Sequence, residues 1–444
     1  MATNDPHREA RQLCAQAGDL RERGRAGEAL ALYRQALARA PDLFDAGFGL
    51  AMTLVELGDR DLAEKVAARL LAGHPDNPGA GWLAGRIAAE RGDFPAAIAR
   101  LQPLLARTDL APTQRAEALL LLSQAFDGLD RTGEAFAAAA QGKAIQRAAH
   151  AERAARREGE VDKLNRLAAW FASAGAADWT PAPDLAPIPD AAATHIFLVG
   201  FPRSGTTLLE QVLAGHPDVS ALEEAPTLAE PYAEFMASGA GLERLSRLSP
   251  DEAQVWRARY WAQVNGFGVN AAGRVFLDKA PAGTLYLPLI AKLFPEAKLL
   301  FAVRDPRDVV LSCFRNDFQL NAMTYAFTDL AETARCYAAC MEMAQAYRRV
   351  LPLDLMEVRH EALVEDFDAQ LAAIAGFLGV EVSPAMADVA ATASRRVVRT
   401  PSAVQVRAGL NTRGLARWRA YADHLAPVLP MLAPWVERWG YPAD

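Results

Sequence analysis

Three glycines, Gly24, Gly58 and Gly92, recur at an interval of 34 residues, and Pro41 and Pro75 keep the same interval. A small alanine follows each glycine five residues later, at Ala29, Ala63 and Ala97. Tyr33, Ala36 and Pro41 complete the first unit, and a further unit surrounds Asp130–Ala135, displaced by a four-residue insertion. Such a period constrains the fold strongly, because each unit buries its apolar face only against its neighbours. The glycine ends a first helix and allows a tight turn. The alanines let the two helices of a unit approach closely. The proline stops the second helix before the next unit begins.

Over residues 10–145 this pattern resembles the tetratricopeptide repeat family. The resemblance implies an all-α array whose concave face binds peptides or partner proteins. A scaffold that only packs against a following domain is the other reading, and no ligand clamp decides between them. An array of this kind could present protein substrates to a catalytic domain.

The chain has 444 residues, 51% of them hydrophobic and 23% charged, which is ordinary for a globular protein and excludes a disordered or collagen-like chain. That length calls for two or three domains. A net charge of −7 argues against tight nonspecific nucleic-acid binding. Cys14, Cys313, Cys336 and Cys340 form no CxxC and have no histidine cluster, so they read as small thiols rather than a metal site or a disulfide framework. The polar N-terminus lacks an apolar signal core, and no run approaches the roughly 20 apolar residues that span a bilayer. The expectation is a soluble, cytoplasmic protein with no membrane or nucleic-acid partner. Residues 146–172 are charged and helical in pattern and read as a solvated connector helix; Pro181, Pro183, Pro187 and Pro189 then mark an extended linker. A new domain begins near Ala191.

His195–Gly200 is a short apolar run of buried-strand character. It leads directly into Phe201–Thr207 and then into LLEQVLAGH, which has helical periodicity. Strand, glycine loop and helix are the layout of a P-loop, whose backbone N–H groups and helix dipole cradle an anion. Gly200–Thr207 reads GxxxxGTT, so Thr206 stands where a nucleotide-triphosphate loop carries lysine, and Arg203 lies inside the loop. This disfavours a kinase or ATPase.

PRSGTT after an apolar strand resembles the 5′-phosphosulfate loop of sulfotransferases, which use 3′-phosphoadenosine 5′-phosphosulfate (PAPS). HPDVSALEEAPTL, residues 216–228, resembles the stretch that follows the loop in protein-tyrosine sulfotransferases. The resemblance implies that Glu224, the second of a glutamate pair, is the general base, with Glu223 in reserve. Ala225 stands where that family has threonine. Lys279 occupies the place of the family's catalytic lysine. The strand Lys298–Val303, Arg304 and the following helix resemble the 3′-phosphate element, mapping Arg304 and Ser312 onto it and offering Arg315 one residue out of register. His360 stands where related enzymes carry a cofactor-contacting tyrosine. Seven arginines crowd residues 395–419. Alone they could be a basic patch, but Ser402, Gln405, Val406, Arg407 and Arg417 match the family's cofactor-covering loop.

The resemblance covers residues 193–440 and implies an α + α/β protein. Residues 1–145 form the repeat array, 146–190 the connector helix and Pro-rich linker, and 191–444 a P-loop-like sulfotransferase domain with a parallel sheet. Arg203, Glu224 and Lys279 are the implied catalytic residues. Arg203, Ser204, Gly205, Thr206, Thr207, Arg304, Ser312, Arg315, Ser402, Gln405, Val406, Arg407 and Arg417 are the implied PAPS contacts. No metal is expected, because fixed cations suffice for a sulfuryl group. The expected reaction is sulfuryl transfer from PAPS to a hydroxyl. A protein tyrosine recruited by the array is one acceptor, and a small-molecule or carbohydrate hydroxyl is another. A non-catalytic repeat scaffold with a nucleotide-sensing domain stays open, as does a homodimer.

Overall fold

The computed structural model describes residues 5–180, 185–395, 410, 412 and 414–443. The chain divides into two compact units. One comprises residues 1–152 with 314–319 and 393–407, and the other comprises 153–313 with 320–392 and 408–444.

The first unit is a run of antiparallel helix pairs: α1 (Pro6–Glu22) with α2 (Ala26–Arg39), α3 (Phe44–Glu56) with α4 (Arg60–Gly73), α5 (Pro78–Glu90) with α6 (Phe94–Leu105), and α7 (Pro112–Gly128) with α8 (Thr132–Ala155). Gly24, Gly58 and Gly92 sit in the left-handed region at the turn within each pair, with φ of 84°, 84° and 79°. Each turn is closed by a hydrogen bond reaching back into the first helix, from the Arg25 amide to the Leu20 carbonyl (2.9 Å), Asp59 to Leu54 (2.9 Å) and Asp93 to Ala88 (2.9 Å). That is the pattern by which a left-handed residue satisfies a helix's last carbonyls. Asp59 and Asp93 then cap the second helix by accepting from the amides of Leu62 and Ala96. The fourth pair repeats the turn with Asp130 at φ 57° and the Arg131 amide on the Phe126 carbonyl. Ala29, Ala63 and Ala97 are fully buried between paired helices. Gly49 on α3 allows a close approach between successive pairs, because a Cβ there would lie 2.3 Å from the Tyr33 ring on α2. Pro41 and Pro75 follow the ends of α2 and α4, as a residue that cannot continue a helix should.

The second unit is built on a five-stranded parallel sheet: β1 (Thr194–Gly200), β2 (Val219–Glu223), β3 (Val275–Lys279), β4 (Lys298–Val303) and β5 (Asp354–Arg359), in the order β2-β3-β1-β4-β5. β1 is central and nearly wholly apolar, with Ile196, Phe197, Leu198 and Val199 buried, as expected of a strand covered on both faces. The chain leaves β1 toward β2 and β3 on one side and reaches β4 on the other. This order places a crevice at the carboxyl end of β1, where ligands bind in open parallel sheets.

The charged run over 146–172 is not one solvated helix. It breaks after Ala155, and α9 (Glu160–Ser173) turns Leu164, Leu167 and Phe171 into the core of the second unit. There Phe171 packs edge-on against Tyr347, ring centres 4.5 Å apart, on the helix Leu330–Val350. Cys313, Cys336 and Cys340 are buried thiols that form no disulfide, and burial pushes the last up to about 12. Among the described residues no helix is long and apolar enough to cross a membrane.

Candidate active site

The carboxyl ends of β1, β2, β3 and β4 bring the predicted residues of the second unit together. Gly200 ends β1, the loop Phe201–Gly205 follows, and α10 (Thr206–Ala214) begins at once. Arg203 (φ 71°) and Gly205 (φ 98°) are both left-handed, which curls the loop over the start of the helix. Gly205 also cannot carry a side chain for lack of space, since a Cβ would lie 2.6 Å from His360 Nδ1. Ser204, Thr206 and Thr207 are buried at this turn.

Two guanidinium groups flank the loop. Arg203 Nε donates to Ser312 Oγ at 2.9 Å. Arg304, at the end of β4, donates to the Arg203 carbonyl (3.1 Å) and to the Gly414 carbonyl (2.5 Å). The neighbouring acids are otherwise engaged. Asp305 accepts from Arg307 (2.8 Å), and Asp308 accepts from the Trp418 amide (2.7 Å). Burial, with Arg304 close by, pushes Arg203 down to about 10. Burial and the two arginines push His360 down to about 3, so its imidazole is neutral. Ser204 Oγ, Arg304 Nε and His360 Nδ1 are buried without a hydrogen-bond partner among the described residues. Buried polar atoms are rarely left so. Clustered around a left-handed loop and two cations, they fit a bound polyanion such as PAPS.

Lys279 ends β3 and is fully buried. Its Nζ donates to Glu224 (2.8 Å) and Glu223 (3.1 Å) and lies 3.4 Å from Glu210. Burial pushes the ammonium down, but the three carboxylates outweigh it and hold Lys279 above the ordinary lysine range. Glu224 takes a left-handed φ of 48°, and its amide donates to the Lys279 carbonyl at 2.8 Å. The loop that carries Glu224 is also pinned from behind. Thr227 Oγ1 (2.8 Å) and Tyr260 OH (2.7 Å) both donate to Asp278 Oδ2, and His195 Nε2 meets the same Tyr260 hydroxyl at 2.8 Å. Burial raises Asp278 to about 6 against the pull of these two hydrogen bonds. Burial holds His195 well below its ordinary value.

Sequence reasoning missed Glu210, Thr227, Tyr260 and Asp278. The available signal was a lone carboxylate inside an otherwise uncharged helix, and Thr206–Leu213 are all buried. Arg315 lies in the first unit, where it pairs with Asp127 (3.0 Å) and donates to the Ser123 carbonyl (3.4 Å). Arg417 packs over the Tyr421 ring at 5.7 Å. Ser402, Gln405, Val406 and Arg407 lie outside the described residues.

Residues 195–384 match the sulfotransferase family, and residues 20–82 match the tetratricopeptide repeat. The matched 195–384 segment contains the loop, the lysine cluster and Arg304. Over this part the chain is similar to the sulfotransferase family. Among similar proteins, an uncharacterized protein of Aquifex aeolicus is 26% identical over 53% of this chain and 32% of its own length. The chain therefore spans about a third of that relative. Protein-tyrosine sulfotransferase 2 of Gallus gallus is 29% identical over 55% of this chain and 69% of its own length. A solved sulfotransferase domain from the Synechococcus PCC 7002 olefin synthase is 23% identical, covering 53% of this chain and 97% of that one, with a TM-score of 0.33.

Proposed function

We propose that this protein transfers a sulfuryl group from PAPS to an acceptor hydroxyl, and that the acceptor is a tyrosine phenol in a protein or peptide. The observation that carries the reading is the junction of two structures at one sheet edge. One is a left-handed anion loop between two buried arginines, and the other is a buried lysine bonded to a partly exposed carboxylate.

Arg203, Ser204, Gly205, Thr206 and Thr207 would hold the 5′-phosphosulfate, and Arg304 with Ser312 the 3′-phosphate. Arg304 offers a planar fork suited to a phosphate. The donor supplies an activated sulfuryl group. The new bond joins the acceptor oxygen to sulfur as the bond from sulfur to the 5′-phosphate oxygen breaks, and adenosine 3′,5′-bisphosphate leaves. Glu224 takes the proton of the acceptor hydroxyl. A phenol, with a pKa near ~10, needs such a base at neutral pH. Lys279 and Arg203 hold the charge that gathers on the sulfuryl and bridging oxygens. Their positive charge is built into the fold, so catalysis is mainly positioning and electrostatics.

The repeat array suits peptide recruitment. Its helices line an open cavity of about 250 Å³ that combines Phe48, Met52 and Trp82 with the oppositely charged Arg21 and Glu117.

Titration calorimetry with adenosine 3′,5′-bisphosphate, against ATP–Mg²⁺, tests the reading. The expected result is metal-independent binding of the bisphosphate that weakens about 10- to 100-fold in Arg304→Ala, the cost of one charge-assisted phosphate contact. Preference for ATP–Mg²⁺, or no binding, would overturn it. Sulfuryl transfer to tyrosine peptides then tests the acceptor, and transfer confined to sugars or free small phenols would replace the peptide.

A further inference from the structure

Glu210 is the one charged side chain on α10, a helix otherwise uncharged and buried from Thr206 to Leu213. A carboxylate so removed from water is strongly unfavourable unless it is paired. It also stands one turn behind a helix start that faces an anion loop, where negative charge works against the anion. Its position therefore needs a reason, and Lys279 Nζ at 3.4 Å supplies one, with both side chains at 0% exposure.

The lysine ammonium has three donors, and three carboxylates surround it at graded depth. Glu224 is 45% exposed, Glu223 15% and Glu210 0%. Only the outermost is placed to meet an incoming hydroxyl. From this gradient we infer that Glu210 is a positioning residue for the transfer reaction. It is the permanent counter-ion that seats Lys279 at the floor of the site while Glu224 gives up its bond to the lysine and takes a proton. The inference rests on the sulfotransferase reading and deepens it. When the acceptor O–H bond breaks, the proton goes to Glu224, which becomes neutral, and Lys279 loses one anionic partner. Glu210 and Glu223 then keep the ammonium charged and in place.

The groups that face Lys279 are Glu210 from α10, Glu223 from β2, Glu224 from the loop after it, and Asp278 beside it on β3; Arg203 acts on Glu224. Without Glu210 the buried ammonium keeps Glu223 and Glu224 as its ion-pair partners among the described residues. It then holds Glu224 more tightly and loses its proton at lower pH, because burial penalises the charged form.

The chain has six lysines, so ε-13C-lysine labelling of the whole protein resolves Lys279, assigned with Lys279→Arg. In folded Glu210→Gln, the Lys279 signal should titrate at least about one pH unit lower than in the wild type. The upper limb of kcat against pH should move down with it. kcat should fall about tenfold or more, with less than about a threefold change in KM for the donor, because the lost interaction serves the transition state. Glu210→Asp should lie between. An unshifted Lys279 titration in the folded variant would overturn the inference, as would a shifted titration with a wild-type kcat profile. The titration needs no substrate. A wild-type chain that transfers no sulfuryl group would overturn the functional reading, and with it any role in that reaction, while the titration still decides the ion pair. If Glu210→Gln alone unfolds, Lys279→Met decides the pairing. Adding Glu210→Gln to it should raise Tm by removing a stranded carboxylate, and a lower Tm would sink the proposal.

Discussion

In the repeat unit, the left-handed turn positions at 24, 58 and 92 are glycine; in the second unit, two such positions are Arg203 and Glu224. The backbone requirement is the same and the occupants differ. At Gly58 and Gly92 nothing lies within 4 Å of where a Cβ would stand, so conformation alone selects glycine there. At 203 and 224 the side chains reach Ser312 and Lys279. A non-glycine residue held there costs on the order of 1–3 kcal/mol, and such strain gathers at functional sites. Charge follows the same division. The repeat pair Arg25–Glu28 is a solvent-facing i,i+3 contact, whereas Lys279 and Glu210 are sealed from water. The first unit follows the local backbone rule at these turns, and the second departs from it at 203 and 224.

The largest expected effect probes the base. Glu224→Gln keeps the volume and the backbone but cannot accept the proton. Sulfuryl transfer should fall about 10²- to 10⁴-fold, the range for loss of a general base. Calorimetry should find adenosine 3′,5′-bisphosphate binding within about threefold of wild type, because Glu224 faces the acceptor. Near-wild-type turnover would remove Glu224 from the chemistry and leave its left-handed strain without a functional reason.

A smaller effect probes the buried network behind the base. Asp278 stands at about 6 in the folded chain, against an ordinary aspartate value near ~3.9. The folded state therefore holds this proton more tightly than the unfolded chain. Its contribution to stability is present below pH ~4 and is lost as pH rises through ~6. Asp278→Asn removes that dependence while its amide oxygen can still accept from Thr227 and Tyr260. Urea titrations from pH 4 to pH 7 should show the variant gaining about 2 kcal/mol relative to wild type across that window. A constant difference would mean that the carboxyl is not perturbed.

The same division explains what was legible in the sequence. The repeat turns are readable because one backbone need selects glycine at a constant interval. Even the fourth turn is readable through its displaced Asp130. The loop from Gly200 to Thr207 is readable because strand, glycine loop and helix are contiguous. The rest of the site is assembled across the fold. His195, Thr227, Tyr260 and Asp278 come from a strand, a loop, a helix and another strand, with no spacing that relates them. Glu210 hides in an otherwise uncharged helix, and its meaning depends on Lys279, 69 residues later. α9 hides in the opposite way, because its charged residues mask the stripe of Leu164, Leu167 and Phe171 that buries it. The strand order, too, follows from packing rather than from any local pattern.

The smallest expected effect breaks the opening contrast directly. Asp130 is the repeat unit's exception, an aspartate at φ 57° where the other turns carry glycine. Its turn hydrogen bond, from the Arg131 amide to the Phe126 carbonyl, involves only backbone and would survive substitution. Asp130→Gly should therefore raise stability by about 1 kcal/mol, the cost of a left-handed non-glycine residue less the added freedom of glycine in the unfolded chain. Gly58→Ala should lower it by about 1–2 kcal/mol for the converse reason. At Arg203 the same change separates stability from the proposed function. Arg203→Gly should relax the loop yet abolish donor binding, since the guanidinium that holds Ser312 and flanks the anion loop is gone. Thermal melts of the three variants, read beside bisphosphate calorimetry, test the contrast. If Asp130→Gly destabilises the chain, the Asp130 side chain contributes something the other turns lack, and the repeats are not governed by backbone need alone.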